Sequence, residues 1–129
     1  MRMARDEVRV GILGLGIVGG GTYQVLTGNA DAIRQRLGCP LVVARVADVD
    51  WERQREVTVP EELRTTDASA ITGAEDIDIV IETIGGVHPA REFILDAIAH
   101  GKSVVTSNKE LIARHGSEIL DAAAAAGVD

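Results

Sequence analysis

Residues 14–19 read Gly14-Leu15-Gly16-Ile17-Val18-Gly19, the G-x-G-x-x-G spacing. The chemistry of such a run is that of bare main chain. Gly14 allows a tight turn, Gly16 leaves no Cβ between the backbone and an approaching diphosphate, and Gly19 lets a helix pack close to a sheet. The N-terminus of that helix offers free N–H groups and the positive end of its dipole to an anion. Each glycine inside a strand or helix costs about 0.5–1 kcal/mol against alanine, so a ligand that needs exposed backbone is the natural reason for so many. The spacing carries this meaning only between a strand and a helix; elsewhere it is an ordinary turn. Gly20 and Gly21 fall outside the motif and are read as allowing close packing against a neighbouring element.

Three further segments supply candidate groups. An acid at the end of the second strand accepts from the ribose 2′-hydroxyl of a dinucleotide and repels a 2′-phosphate. Asp48 stands there, with Asp50 two residues on as a turn cap, and Arg45, Arg53 and Arg55 are near enough to take a 2′-phosphate instead. NAD and NADP therefore both remain open. Glu82 ends an aliphatic run and is followed by Thr83-Ile84-Gly85-Gly86, either a second place where backbone meets ligand or a plain turn. Ser107 and Glu110 have the spacing of a helix capping box. With Ser107 as cap, Asn108 and Lys109 open the helix. A lysine there faces the wrong end of the dipole, a local violation of the kind found at functional sites, unless it is simply a solvated surface lysine. His88, His100 and His115 share no spacing with carboxylates and read as caps or solvated residues, and no metal constellation appears.

The elements that would position these groups follow from periodicity. Val8–Leu13 reads as a buried strand. Val18, Thr22, Val25, Leu26, Ile33 and Leu37 share one face of a long helix, kinked near Gly28-Asn29 and ended by Gly38. Leu41–Ala47 is a second strand. Residues 48–76 have no clear period, apart from a short helix at Asp67–Thr72. Ile77–Ile84 is a third strand, Pro89 opens a helix carrying Ala90, Phe93, Ile94, Ala97 and Ile98, and Ser103–Thr106 is a fourth strand. A last helix runs from about Asn108 to Ala126 and stops at Gly127. Aliphatic strands alternating with helices predict an α/β fold: a Rossmann-type, doubly wound, mostly parallel sheet with helices on both faces. Val128-Asp129 reads as the first step of another strand, so residues 1–129 are expected to be one dinucleotide-binding domain, an N-terminal fragment of something longer.

Bulk properties narrow the function classes. Only Tyr23, Trp51 and Phe93 are aromatic, so the core of this 129-residue chain must be aliphatic. The net charge of −7 without a basic run argues against nucleic acid or an anionic membrane as partner. Cys39 is the only cysteine, which excludes an internal disulfide and suits a reducing, cytoplasmic setting. The opening "MRMARDEVRV" lacks the apolar core of a signal peptide.

Taken in order, "GLGIVGGG", "ETIGG" with "PA" shortly after it, and "GKSVVTSNKELIA" resemble the cofactor-binding domain of homoserine dehydrogenase, from about Val8 to Gly127. The resemblance implies an NAD- or NADP-dependent oxidoreductase acting on a CH–OH group. It would interconvert L-homoserine and L-aspartate 4-semialdehyde on the route to threonine and methionine. It implies that Gly14, Gly16, Ile17, Val18 and Gly19 form the dinucleotide loop. Thr83, Ile84 and Gly85 would lie on the nicotinamide side, and Ser107, Asn108 and Lys109 where a lysine meets cofactor and substrate. In that family a second lysine, most homoserine contacts, a monovalent cation site and most of the dimer interface come from later sequence. The parent is thus expected to be a homodimer or larger, and the 129 residues alone to be inactive. Two departures stand out: Val49 where many members have Arg or Lys, and Ser107 where members often have Ala. The alternatives are the cofactor domain of another amino-acid dehydrogenase, such as an aspartate dehydrogenase, a non-catalytic NAD-sensing module, and a methyltransferase-type nucleotide binder.

Overall fold

The computed structural model describes residues 6–129; residues 1–5, half of the stretch inspected for a signal peptide, lie outside the described residues. Five parallel strands form one sheet: β1 (Val8–Leu13), β2 (Leu41–Ala47), β3 (Arg64–Thr65), β4 (Ile79–Glu82) and β5 (Ser103–Thr106), in the order β3-β2-β1-β4-β5. Helices α1 (Ile17–Gly28) and α2 (Ala30–Leu37) join β1 to β2, α3 (Ser69–Thr72) precedes β4, α4 (Ala90–Ala99) joins β4 to β5, and α5 (Lys109–Ala126) follows. The expected doubly wound architecture is present. Among the described residues no helix is long and apolar enough to cross a membrane.

Alternation along β1 builds both faces. Val10 and Ile12 join Val43, Val46 and Tyr23 on the α1 side, while Leu13 joins Val80, Ala47, Ile71 and Ala97 on the α3–α4 side. The β1–β2 register skips one residue, with Val10 opposite Val43 and Gly11 opposite Arg45, so Ala44 bulges. Helix α5 packs on α4 through Leu111, Ile119, Ala90, Ile94 and Ile98.

Five expectations need correction. The long kinked helix is two helices, because Asn29 sits outside helical geometry (φ −117°, ψ 28°) and both its N–H and its side-chain amide donate to the Val25 carbonyl. The buried face of α1 is also not the branched stripe: Val18 and Val25 are more than half exposed, and Gly19, Gly20 and Tyr23 are buried. The helix approaches through Gly19 and Gly20; a Cβ on Gly20 would lie 3.4 Å from Val57, an ordinary contact, and one on Gly21 would meet nothing within 4 Å, so close packing does not require Gly21 as expected.

The irregular stretch contains a 3-10 turn (Glu61–Leu63) and the strand β3, whose two residues are too few to show a period. It is anchored by Val59, which is buried, and by Trp51, Val57 and Leu63 against the α1-side core. The third strand is shorter at both ends than expected, because Ile77 packs in the core before it and Ile84 is exposed after it. Finally, Asn108, not Ser107, caps α5: its Oδ1 accepts from the Leu111 N–H at 3.1 Å, while Ser107 is exposed. The Thr106 hydroxyl accepts the Asn108 N–H at 3.0 Å, turning that residue rather than its neighbour into the cap position.

Candidate dinucleotide site

The strand order reverses between β1 and β4, and the crevice at the carboxyl ends of such strands is where ligands bind in open α/β sheets. A cleft of about 400 Å³ lies there, walled by Gly14, Leu15, Gly16, Asp48, Val49, Arg53, Thr83, Ile84 and Phe93 among others. Five of the expected site residues (Gly14, Gly16, Asp48, Thr83 and Ile84) thus share one cavity.

The glycine loop is held from both sides. The Gly14 N–H donates to the Ala47 carbonyl at 2.8 Å. The Thr83 hydroxyl donates towards the carbonyls of Leu13 at 3.0 Å and Gly14 at 2.9 Å. The Leu15 N–H donates to Asp48 Oδ2 at 3.0 Å. Gly14 has φ +93°, a conformation that a side chain would strain, and a Cβ on Gly19 would lie 2.1 Å from the Gly14 carbonyl oxygen. The expected tasks of those two glycines are met by geometry. Gly16, the N-cap of α1, makes no side-chain cap, and a Cβ there would meet nothing within 4 Å. The first-turn N–H groups of a helix have no intrahelical partner, so here they stand beside open space. These features fit the diphosphate of a dinucleotide. Ile17 is 97% exposed and Val18 54%, so each contributes backbone rather than a packed side chain.

Asp48 does more structural work than its position in the sequence implies. It is buried, and its Oδ2 accepts from Arg53 and Arg55, each at 2.9 Å, in addition to Leu15. Among the described residues its Oδ1 takes only the Asp50 N–H, at 3.2 Å. Arg55 further donates to the Leu15 carbonyl at 3.0 Å and to the Asp50 carbonyl, and its guanidinium lies 4.9 Å from the Trp51 ring centre. Of the three arginines considered for a 2′-phosphate, Arg53 lines the cleft, Arg55 is tied to Asp48 and the loop, and Arg45 sits within β2 opposite Gly11, away from the strand end.

Burial pushes the Asp48 carboxyl up, but the bonds from Arg55, Asp50 and Leu15 and the charge of Arg53 outweigh it and hold it below the usual carboxylate range. A depressed acid adds stability above the unfolded value of about 4 and loses it as pH falls through the folded value. Trp51, the only tryptophan, should therefore report loosening of residues 50–55 below about pH 4 and none between pH 5 and 8. Tryptophan fluorescence checks this, and an Asp48→Asn chain should lack the acid-dependent change.

The remaining expected residues are not among the walls of that cleft. Gly85 follows Ile84 in the turn, and its N–H is bound to Glu82. Asn108 is buried and reaches the Gly86 carbonyl through its amide at 2.5 Å, joining the 84–86 turn to the head of α5. Lys109 is the first residue of α5 and is exposed. Reasoning from sequence missed the ties made by Thr106; the buried Glu82 at the end of an aliphatic strand was the signal that pointed to them.

The comparisons agree with this geometry. Residues 14–129 match the family model described as homoserine dehydrogenase, NAD binding domain. Homoserine dehydrogenase of Methylobacillus glycogenes is 53% identical over 106 residues, 82% of this chain and 26% of that protein. That of Bacillus subtilis is 41% identical over 122 residues, 95% of this chain and 28% of that protein. The crystal structure of a homoserine dehydrogenase from Thiobacillus denitrificans superposes with a TM-score of 0.88 at 46% identity, covering 95% of this chain and 28% of that one. The chain thus spans little more than a quarter of its relatives' length. Its loop geometry, its sheet order and the family match lead to one assignment: it belongs to the NAD-binding domain family of homoserine dehydrogenase.

Proposed function

We propose that the chain is the dinucleotide-holding part of an enzyme that interconverts L-homoserine and L-aspartate 4-semialdehyde, with the substrate-binding and dimer-forming sequence lying outside these 129 residues. The observation that carries the reading is the bare, open Gly16 at the head of α1, flanked by the fixed Gly14 and the close-packed Gly19. NAD or NADP, when bound, supplies the hydride acceptor or donor. The backbone of Gly14, Gly16, Ile17, Val18 and Gly19 holds the diphosphate. Asp48 keeps the loop in place through Leu15 and has Oδ1 available for a ribose hydroxyl. Thr83, Ile84 and Gly85 border the nicotinamide. Ser107, Asn108 and Lys109 approach from β5, and the Lys109 ammonium orients and polarises the substrate oxygen. A reducing, cytoplasmic setting suits a chain whose one cysteine is free.

The test is turnover. With the family's remaining sequence attached, the protein should reduce NAD+ or NADP+ with L-homoserine and not with L-aspartate. The 129 residues alone should bind cofactor and oxidise no homoserine. Oxidation of L-aspartate instead would move the chain to an aspartate dehydrogenase.

A further inference from the structure

Glu82 ends β4 and is completely buried, at the foot of the turn that the proposed function places beside the nicotinamide. An acid here is costly to desolvate and must be satisfied by donors. Glu82 Oε2 accepts from the N–H groups of Ile84 at 2.8 Å and Gly85 at 3.0 Å. Its Oε1 accepts from the Thr106 hydroxyl of the neighbouring strand at 2.5 Å. Thr106 Oγ1 in turn accepts the Asn108 N–H at 3.0 Å, and the Asn108 amide returns to the Gly86 carbonyl at 2.5 Å. The bonds close a ring: Glu82, the 84–86 turn, Asn108, Thr106 and back to Glu82. β4 and β5 pair with Glu82 opposite Thr106, so the sheet register itself brings the two side chains together.

We infer that Glu82 is a positioning residue that, acting through Thr106 and Asn108, locks the 84–86 turn to the head of α5 and so shapes the nicotinamide half of the site. The glycine loop lies outside this ring; its fasteners are Thr83, Asp48 and Ala47. The inference rests on the proposed dinucleotide reading, and it makes a claim that a merely structural acid would not satisfy. The two halves of the ligand should respond differently.

In Glu82→Gln, an NH2 group, which only donates, takes the place of one of the two carboxylate oxygens, which only accept. Either the Thr106 proton or the pair of backbone N–H groups loses its acceptor. Titrating the 129-residue chain with NADH and with ADP-ribose, which has the diphosphate but no nicotinamide, separates the halves. Glu82→Gln should weaken NADH binding about tenfold or more and leave ADP-ribose within twofold. Thr106→Val, which keeps the volume and removes the hydroxyl, should reproduce that split. Thr106→Ser, which restores the hydroxyl, should bind both like the wild type. Equal losses for both ligands, no loss for either, or failure of Thr106→Ser to rescue would overturn the inference. Failure of the unaltered chain to bind ADP-ribose would instead remove the dinucleotide reading beneath it.

Discussion

Replacing Lys109 with alanine, in a protein that carries this domain together with the family's remaining sequence, should lower the proposed homoserine oxidation by about 10²–10⁴-fold, the usual worth of a positioned acid–base or charge-stabilising group. The argument begins with a conflict. Lys109 is the first residue of an 18-residue helix whose cap, Asn108, is held in place by the Thr106 hydroxyl and the Gly86 carbonyl. Its ammonium sits at the positive end of the dipole, where a cation is unfavourable by about 0.3–1 kcal/mol. Removing it should therefore leave the fold as stable as before, or slightly more so, while turnover collapses. Dinucleotide affinity should change less than tenfold, because the proposed diphosphate site is at the head of α1, on another strand end. Steady-state kinetics, a cofactor titration and a thermal midpoint on one sample decide the matter. A rate within threefold of the parent would make Lys109 a surface lysine and favour a non-catalytic nucleotide sensor.

The second large effect is at Gly19. An alanine Cβ would stand 2.1 Å from the Gly14 carbonyl oxygen and 2.7 Å from the Thr83 hydroxyl. The first of these is backbone, so no side-chain rotation relieves the clash; α1 or the loop must move. Overpacking of this kind costs about 1–3 kcal/mol, which for a domain near this size is a fall of roughly 4–12 °C in thermal midpoint. The shift would move the very N–H groups proposed to hold the diphosphate, so dinucleotide binding should fall at least thirtyfold. Gly16→Ala is the control with opposite character. Its Cβ meets nothing in the protein, so the midpoint should stay within a degree or two while affinity drops. If Gly19→Ala kept both its midpoint and its affinity, close packing of α1 on the loop would not be what the third glycine provides.

The sequence made the frame of this protein legible and left some of its fastenings hidden. The strands β1, β2 and β5 have a strong local cause in their aliphatic runs and stand as expected, and α4 begins one residue later than expected, at Ala90, with Pro89 as its N-cap. The misjudged elements share a different origin. The buried face of α1 follows from how near Gly19 and Gly20 come to the sheet, which no helical period can reveal. β3 exists because β2 offers it an edge and Trp51, Val57 and Val59 anchor the chain around it. Asn108 rather than Ser107 caps α5 because Thr106, on the strand before, holds its N–H. In the site itself, residue types pointed to Asp48 as a ribose acceptor. In the folded chain one of its oxygens already binds Leu15, Arg53 and Arg55, making it a keystone of the loop as well. Long-range hydrogen bonds of this sort leave no periodicity and no composition signal.

The central claim is that bare backbone at the head of α1 grips the diphosphate of a nicotinamide dinucleotide, and calorimetric titration of residues 1–129 tests it most directly. NADH or NADPH should give saturable one-to-one binding that S-adenosylmethionine does not, and Gly16→Val, with its fold intact by circular dichroism, should abolish it. An unaltered chain that takes up neither nucleotide, or a Gly16→Val chain that binds as tightly as its parent, would contradict the account.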